Sequence, residues 1–277
     1  MVRQIALLLS LAVCLAGCGQ AQAVREETAA GTILKLGGEV ERDEKLPGQP
    51  VVRVRLSGDR VIDSDLRDLK ELKSLRKVEL YGTKVTNAGL KELKELKGLS
   101  YLARSSDQIT NAGLKELKEL KGLQFLYLRG TEITDAGLKD LAGLEGLRYL
   151  WLYGSQITDA GLKELKDLKG LQTLVLVGSR LTDGGLEGLK ELKGLQWLYL
   201  GATKITDAGM KHLKELKSLQ YLDLRGTRIT DAGLRDLKEL TGLQTLDLRG
   251  TKVTDAGLKD LRQAFPNMKI LEPTMVY

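Results

Sequence analysis

From residue 51 to residue 266 the chain repeats itself every 24 residues, nine times over. The unit is plainest where Leu123-Gln124-Phe125-Leu126-Tyr127-Leu128-Arg129-Gly130-Thr131-Glu132-Ile133-Thr134-Asp135-Ala136-Gly137-Leu138 is followed by Leu141 and Leu144. A period of this length constrains the fold more than any composition can. One unit cannot bury its own leucines, so neighbours must stack and share a continuous core. Within each unit Leu-x-x-Leu-x-Leu alternates apolar and variable positions, as a half-buried strand does. The spacing of Leu138, Leu141 and Leu144 by three predicts a short helix or 3₁₀ segment. Thr134-Asp135, just ahead of that segment, offers an N-cap. The period also sorts residues. Repeated positions answer to the fold, and positions that vary against it can carry function.

The two ends depart from the repeat. Arg3 precedes a short apolar run, Ile5 to Val13, which is shorter than the roughly 20 residues a membrane span needs. Leu15-Ala16-Gly17-Cys18 follows, and it resembles the lipobox of bacterial lipoproteins. That resemblance implies a signal peptide over 1–17, cleavage before Cys18, and acylation of Cys18, which would hold the protein in the cell envelope outside the cytoplasm. An ordinary secretory signal is the alternative. Cys14 would leave with the leader, so Cys18 would be the sole remaining cysteine and no disulfide could form. Gln20, two residues on, is not the Asp that retains some lipoproteins at the inner membrane, which favours the outer membrane or cell surface. Residues 18–27 read as the acylated Cys and a tether, Gly19 to Glu27, reaching roughly 30 Å when extended. Residues 28–50 predict an N-terminal cap, with a helix over Thr28 to Leu36 and a strand over Glu39 to Arg42. After the repeats (51–266), residues 267–277 form a C-terminal cap with a short final strand over Met268 to Leu271.

The nine units, about four-fifths of the chain, resemble leucine-rich repeats of the 24-residue bacterial kind. The resemblance implies an α/β solenoid, a curved right-handed horseshoe with a parallel sheet on its concave face and short helices on its convex face. That family usually has Asn at the ninth position of the unit, where its amide bonds the turn. Here the position holds Asp59, Thr83, Asp107, Thr131, Ser155, Ser179, Thr203, Thr227 and Thr251, so hydroxyls are expected to take over most of that bonding. The Ile-Thr-Asp-Ala-Gly-Leu signature also looks like the repeats of F-box leucine-rich-repeat proteins, which deliver substrates to ubiquitin ligases. Their role needs an F-box segment ahead of the repeats, and the roughly 20-residue insert cannot supply one.

The net charge of +6 invites a nucleic-acid reading. However, most lysines alternate with glutamates, as in Lys91-Glu92-Leu93-Lys94-Glu95-Leu96-Lys97, which describes a solvated helix face and no phosphate-tracking stripe. Catalytic and metal chemistry find little to work with. His212 is the only histidine, and it has no second histidine or mature thiol beside it. The acidic column Asp135, Asp159, Asp183, Asp207, Asp231 and Asp255 lacks calcium-loop spacing, and Asn87 and Asn111 substitute at the same position in earlier units, so helix capping is expected of it. Glu79, Asp223 and Asp247 are the acids of the concave columns. Glu79 lies six units from Asp223, and the Asp223–Asp247 pair has Arg225 and Arg249 beside it, which suits salt bridges better than a two-carboxylate hydrolase. The sequence predicts no enzyme, no cofactor and no metal.

The variable columns are more informative. In the horseshoe the third, fifth and seventh residues of each unit point off the concave sheet. Ten of the twelve aromatic residues fall in those three columns. From them the sequence predicts a contact surface made of Tyr101, Phe125, Tyr127, Tyr149, Trp151, Tyr153, Trp197, Tyr199 and Tyr221, with Arg129, Arg225 and Arg249 as charged neighbours. Strand spacing gives the aromatic patch roughly 300 Å² in projection. That is near the size at which exposed apolar area marks a binding site, and it suits a peptide, a helix face or a glycan chain. The expected function is non-enzymatic binding of a protein or peptide partner, with a glycan as a variant. A structural envelope protein whose aromatics only favour strands is the alternative. One residue breaks the core pattern: Arg104 stands where its unit should have a leucine, and is expected to snorkel outward toward Asp107 or to mark a local bulge.

Overall fold

The computed structural model describes residues 2–105, 108–129 and 132–273, with side chains from Gly19 onward. One helix, α1 (Val2–Lys35), precedes a sheet of eleven strands that lie side by side in chain order. These are β1 (Glu39–Arg42), β2 (Val51–Ser57), β3 (Lys77–Tyr81), β4 (Tyr101–Ser105), β5 (Phe125–Arg129) and β6 (Tyr149–Tyr153), then β7 (Thr173–Val175), β8 (Trp197–Tyr199), β9 (Tyr221–Asp223), β10 (Thr245–Asp247) and β11 (Lys269–Leu271). Only β1 runs antiparallel to its neighbour; from β2 onward the pairing is parallel. Each residue faces the one 24 positions later, as Phe125 faces Tyr149 and Tyr127 faces Trp151, so sequence columns are physical columns.

A short α or 3₁₀ helix returns the chain behind each strand, such as Asp63–Glu71, Asp135–Leu141 and Asp255–Ala264. The leucines of strand and helix meet in one uninterrupted core running from Ala29 to Leu261. Almost every core position is fully excluded from solvent, as expected when each unit is covered by the next on both sides.

The Thr-Asp-Ala-Gly motif serves the stacking as well as the helix start. The N-cap is the threonine, and in five units its hydroxyl accepts from the N–H of the alanine two residues on, as Thr206 does from Ala208. Thr134, Thr182 and Thr254 make no such bond. The aspartate, expected as a cap, instead reaches the next unit. Asp183 accepts from the Thr206 backbone N–H at 2.7 Å and from its hydroxyl at 2.6 Å. Asp135, Asp207 and Asp231 do the same to Thr158, Thr230 and Thr254. Asn87 and Asn111 make the ladder with one bond reversed, the amide donating to the threonine hydroxyl. The glycine is explained by the same contact. A Cβ on Gly209 would lie 2.6 Å from the Asp183 Oδ1 and one on Gly233 2.5 Å from that of Asp207.

Among the described residues the ninth-position hydroxyls behave as expected in three units. Thr203, Thr227 and Thr251 donate to the carbonyls of Leu200, Leu224 and Leu248 at 2.5–2.6 Å. The hydroxyls of Thr83, Ser155 and Ser179 are buried without a hydrogen-bond partner. Asp59 is an exposed residue 3.9 Å from Lys84, and Asp107 and Thr131 lie outside the described residues.

Arg104 corrects the sequence reading. Its side chain does not snorkel but is wholly buried at the leucine position, level with Leu80 and Leu128. Its guanidinium donates to the carbonyl of Val85 in the preceding unit. Asp107, the partner expected for it, is outside the described residues.

Helix α1 covers the open end of the first unit. Ala29, Ala30 and Ile33 share one helical face and are buried in the core. Glu26 accepts from the Val51 N–H at 2.6 Å, and Gln22 donates to the Glu71 carbonyl at 2.6 Å. The helix extends N-terminally past the expected Thr28, so residues 19–27 are helical where an extended tether was expected. The Cys18 side chain is outside the described part.

Candidate functional site

The alternation of each strand sends its third, fifth and seventh residues to the open side of the sheet, away from the helices. The predicted aromatic residues do share this face, and all are half-buried, because rings on adjacent strands cover one another. They form two banks. In the first, Tyr101 stacks on Phe125 with ring centres 4.2 Å apart and planes 4° from parallel. Phe125 then meets Tyr149 at 6.0 Å and Trp151 at 5.7 Å, while Trp151 touches Tyr127 and Tyr153 at 5.8 and 6.2 Å. Most of these contacts are tilted by 39–69°, which suits the ring quadrupoles better than face-to-face stacking. Trp151 is the hub, and its indole N–H is buried without an acceptor.

In the second bank Tyr199 and Tyr221 lie 4.8 Å apart. Trp197 sits beside them, paired in register with Tyr221. Between the banks lies the sixth unit, whose open-face residues on β7 are Thr173 and Val175. Both are small and buried although they point off the sheet, since the larger side chains on either side overhang them. The patch that looked continuous in the sequence is therefore two walls and a trough. The small third- and fifth-column residues of the sixth unit were the available signal for it.

Charge is distributed unevenly on this face. At the β2 end Arg53 bridges Glu79 at 2.8 Å and Glu41 at 3.1 Å, and these partners hold its guanidinium well above the usual range. Arg55 lies over the Tyr81 ring at 5.5 Å, and Lys77 over Tyr101 at 5.3 Å. At the other end Arg225 Nε bonds Asp223 at 3.0 Å, and Arg249 grips Asp247 through two nitrogens at 3.0 and 2.6 Å. The salt-bridge reading of those acids holds. What the sequence did not reveal is that both aspartates are completely buried beneath their arginines, which stay about half exposed. Burial raises the Asp223 carboxyl. It acts the same way on Asp247, but hydrogen bonds from the Arg249 side chain and backbone outweigh it and leave that group below its ordinary value. Arg129 is exposed on β5, beside the first bank and four strands from Arg225.

Where β8–β10 end, the face opens into a shallow depression of about 390 Å³ floored by Val177, Gly201, Ala202, Gly226 and Gly250 and flanked by Arg225 and Arg249. Gly201 stands in the seventh column, where a Cβ would come within 3.1 Å of the Arg225 Cγ. Ala202 occupies the left-handed turn position, with φ of 55°, that glycine fills at Gly178, Gly226 and Gly250. Among the described residues no cluster of His, Cys, Asp and Glu is arranged to hold a metal ion.

Two family models, both described as leucine rich repeat, match residues 193–253 and 123–142. No curated protein matches the sequence. Among solved structures, a leucine-rich-repeat protein of Leptospira interrogans is 27% identical with a TM-score of 0.56. That match covers 74% of this chain, which spans 50% of the Leptospira protein. The internalin InlF of Listeria monocytogenes is 19% identical over 88% of this chain and 93% of its own, with a TM-score of 0.54. A plant peptide hormone receptor, RGFR1, solved in complex with RGF2, is 16% identical over 85% of this chain and 40% of its own, with a TM-score of 0.52. The fold is an α/β leucine-rich-repeat solenoid.

Proposed function

We propose that this protein is a non-enzymatic extracytoplasmic lipoprotein, anchored through Cys18, that binds a protein or peptide partner across the open face of its sheet. The observation that carries the reading is the register. It brings nine of the chain's twelve aromatic residues, scattered from Tyr101 to Tyr221, into two adjoining banks on one face. Half-buried rings offer apolar area without conformational entropy to lose, which is what recognition surfaces draw on. The likeness in fold to a peptide hormone receptor solved with its partner points the same way. The Leu15-Ala16-Gly17-Cys18 motif supports the anchor, and Gln20 favours the outer membrane or the surface.

A structural role in the envelope is the second reading, favoured by the way the rings of the first bank pack on each other. Trp151 is a poor probe for choosing between them, because removing it also removes three ring contacts. Trp197 has no ring contact among the described residues, so Trp197→Ala separates binding from packing. Affinity capture from envelope extract should recover one partner with the wild type and lose it with Trp197→Ala at an unchanged melting temperature. Diffuse recovery, equal for both proteins, would establish the structural role. Metabolic acyl labelling of wild type against Cys18→Ser tests the anchor independently.

A further inference from the structure

The third, fifth and seventh columns carry six cations, Arg53, Arg55, Lys77, Arg129, Arg225 and Arg249, against three acids, Glu79, Asp223 and Asp247. At the β2 end Glu39 and Glu41 of β1 add two more acids beside Arg55 and Arg53. The imbalance is concentrated at the β8–β10 end, away from those two glutamates. There the side chains of Asp223 and Asp247 are both 0% exposed, so solvent meets Arg225 and Arg249 and hardly any carboxylate. At the β8–β10 end two guanidiniums on neighbouring strands flank one depression. Arg225 uses only Nε on Asp223, and Arg249 uses Nε and one terminal nitrogen on Asp247. Three terminal nitrogens thus make no hydrogen bond to the described residues. The floor beneath them, Gly201, Ala202, Gly226 and Gly250, has almost no side chain, so a ligand can come down onto it.

We propose that this shelf takes a carboxylate side chain of an extended acidic peptide, whose apolar neighbours lie along Trp197, Tyr199 and Tyr221. The inference rests on the peptide-binding reading above and specifies its ligand. A carboxylate matches the planar fork of a guanidinium and can bridge two of them. The buried aspartates hold the arginines in place and offset their mutual repulsion, so the pair is set before any ligand arrives. The rings beside the shelf present edges and tilted faces, with Tyr199 and Tyr221 at 31° to one another. That relief receives side chains of a peptide more readily than the flat faces of sugar rings. Strand by strand, the ligand would meet aromatic surface in the third and fifth columns and positive charge in the seventh.

The test uses the full-length protein in detergent micelles and a random dodecapeptide phage library. Selected peptides should be enriched in Asp or Glu next to aromatic or aliphatic residues. Changing their acid to Gln or Asn should weaken binding on the order of tenfold to a hundredfold, as loss of a charged hydrogen-bond pair does. The protein variant Asp223→Asn/Arg225→Gln removes the cation without stranding a buried charge, and circular dichroism checks its fold. It should lose a similar factor, and 0.5 M salt should weaken the wild type alone. Peptides that depend on Trp197 but ignore both the acid change and the Asp223→Asn/Arg225→Gln variant would overturn the shelf and leave the aromatic face standing. Peptides indifferent to Trp197→Ala as well would overturn both. Selection of no peptide, with or without binding of heparin as an anionic polysaccharide, would overturn the peptide assignment.

Discussion

Arg104 shows what a single position can say against a regular background. A guanidinium fully enclosed at a leucine site has given up its hydration for contacts that include the Val85 carbonyl. Taking such a charge out of water costs several kcal/mol before any partner offsets it. Leucine fills the equivalent site in adjacent units, so the space suits an aliphatic side chain. Arg104→Leu removes that cost but strands the Val85 carbonyl and the other contacts of the guanidinium, so it should lower the midpoint of urea unfolding by a loss of about 1–3 kcal/mol. A higher midpoint would mean that the cost of burying the guanidinium outweighs the contacts it makes. The substitution was legible in the sequence but its burial was not. Whether a long side chain snorkels depends on how closely the next unit covers it, and that is a property of the stack.

At the scale of the element, the repeat motif couples neighbours more than it starts helices. Periodicity alone located strands, helices and the third, fifth and seventh columns, because alternation and spacing are written in each unit. It did not disclose the ladder from Asp or Asn to the following Thr, since nothing within one unit shows that Asp183 bonds Thr206 rather than its own helix. Removing a carboxylate that satisfies a backbone N–H and a hydroxyl leaves both donors short, so Asp183→Ala should cost about 1–3 kcal/mol. Asp183→Asn should be nearly neutral, because Asn87 and Asn111 already make the rung with one bond reversed. Urea titrations of the two variants compare them directly, and equal losses would contradict the ladder. The strands make a second prediction. Burial lifts the phenols of Tyr101 and Tyr221 to about 12, from 10.0, and nearby Asp223 and Asp247 add to the effect at Tyr221. As pH rises past 10 the unfolded chain releases these protons first. The stability they contribute is present below pH 10 and is lost as pH approaches 12. The variant with both Tyr101→Phe and Tyr221→Phe should show a shallower loss over that range, read from unfolding midpoints at pH 9.5 and 11.5.

For the whole molecule, the most consequential difference from the sequence reading lies at the N-terminal end. Lying between Cys18 and the expected cap, Gly19 to Glu27 looked like a free tether with a reach of roughly 30 Å. Its polar residues are instead partners of the first unit, since Gln22 and Glu26 bond backbone groups of the solenoid that the capping helix must satisfy. That end was illegible because a capping helix needs only one narrow apolar face, here Ala29, Ala30 and Ile33, and no repeat announces it. On the lipid-anchored reading, Cys18 is separated from the first docked side chain by Gly19, Gln20 and Ala21 alone. Four residue steps reach about 14 Å fully extended and about 6 Å as helix. The first unit would then sit against the bilayer, while nine strand spacings carry the far end about 40 Å along the solenoid. A fluorophore at Asp59→Cys, at the near end, should transfer energy strongly to a headgroup dye in vesicles. Inserting twenty Gly-Ser residues after Cys18 should sharply reduce that transfer. Equal transfer with and without the insert would show that residues 19–27 leave the solenoid on the membrane, and that the capping helix gives way to the tether the sequence alone suggested.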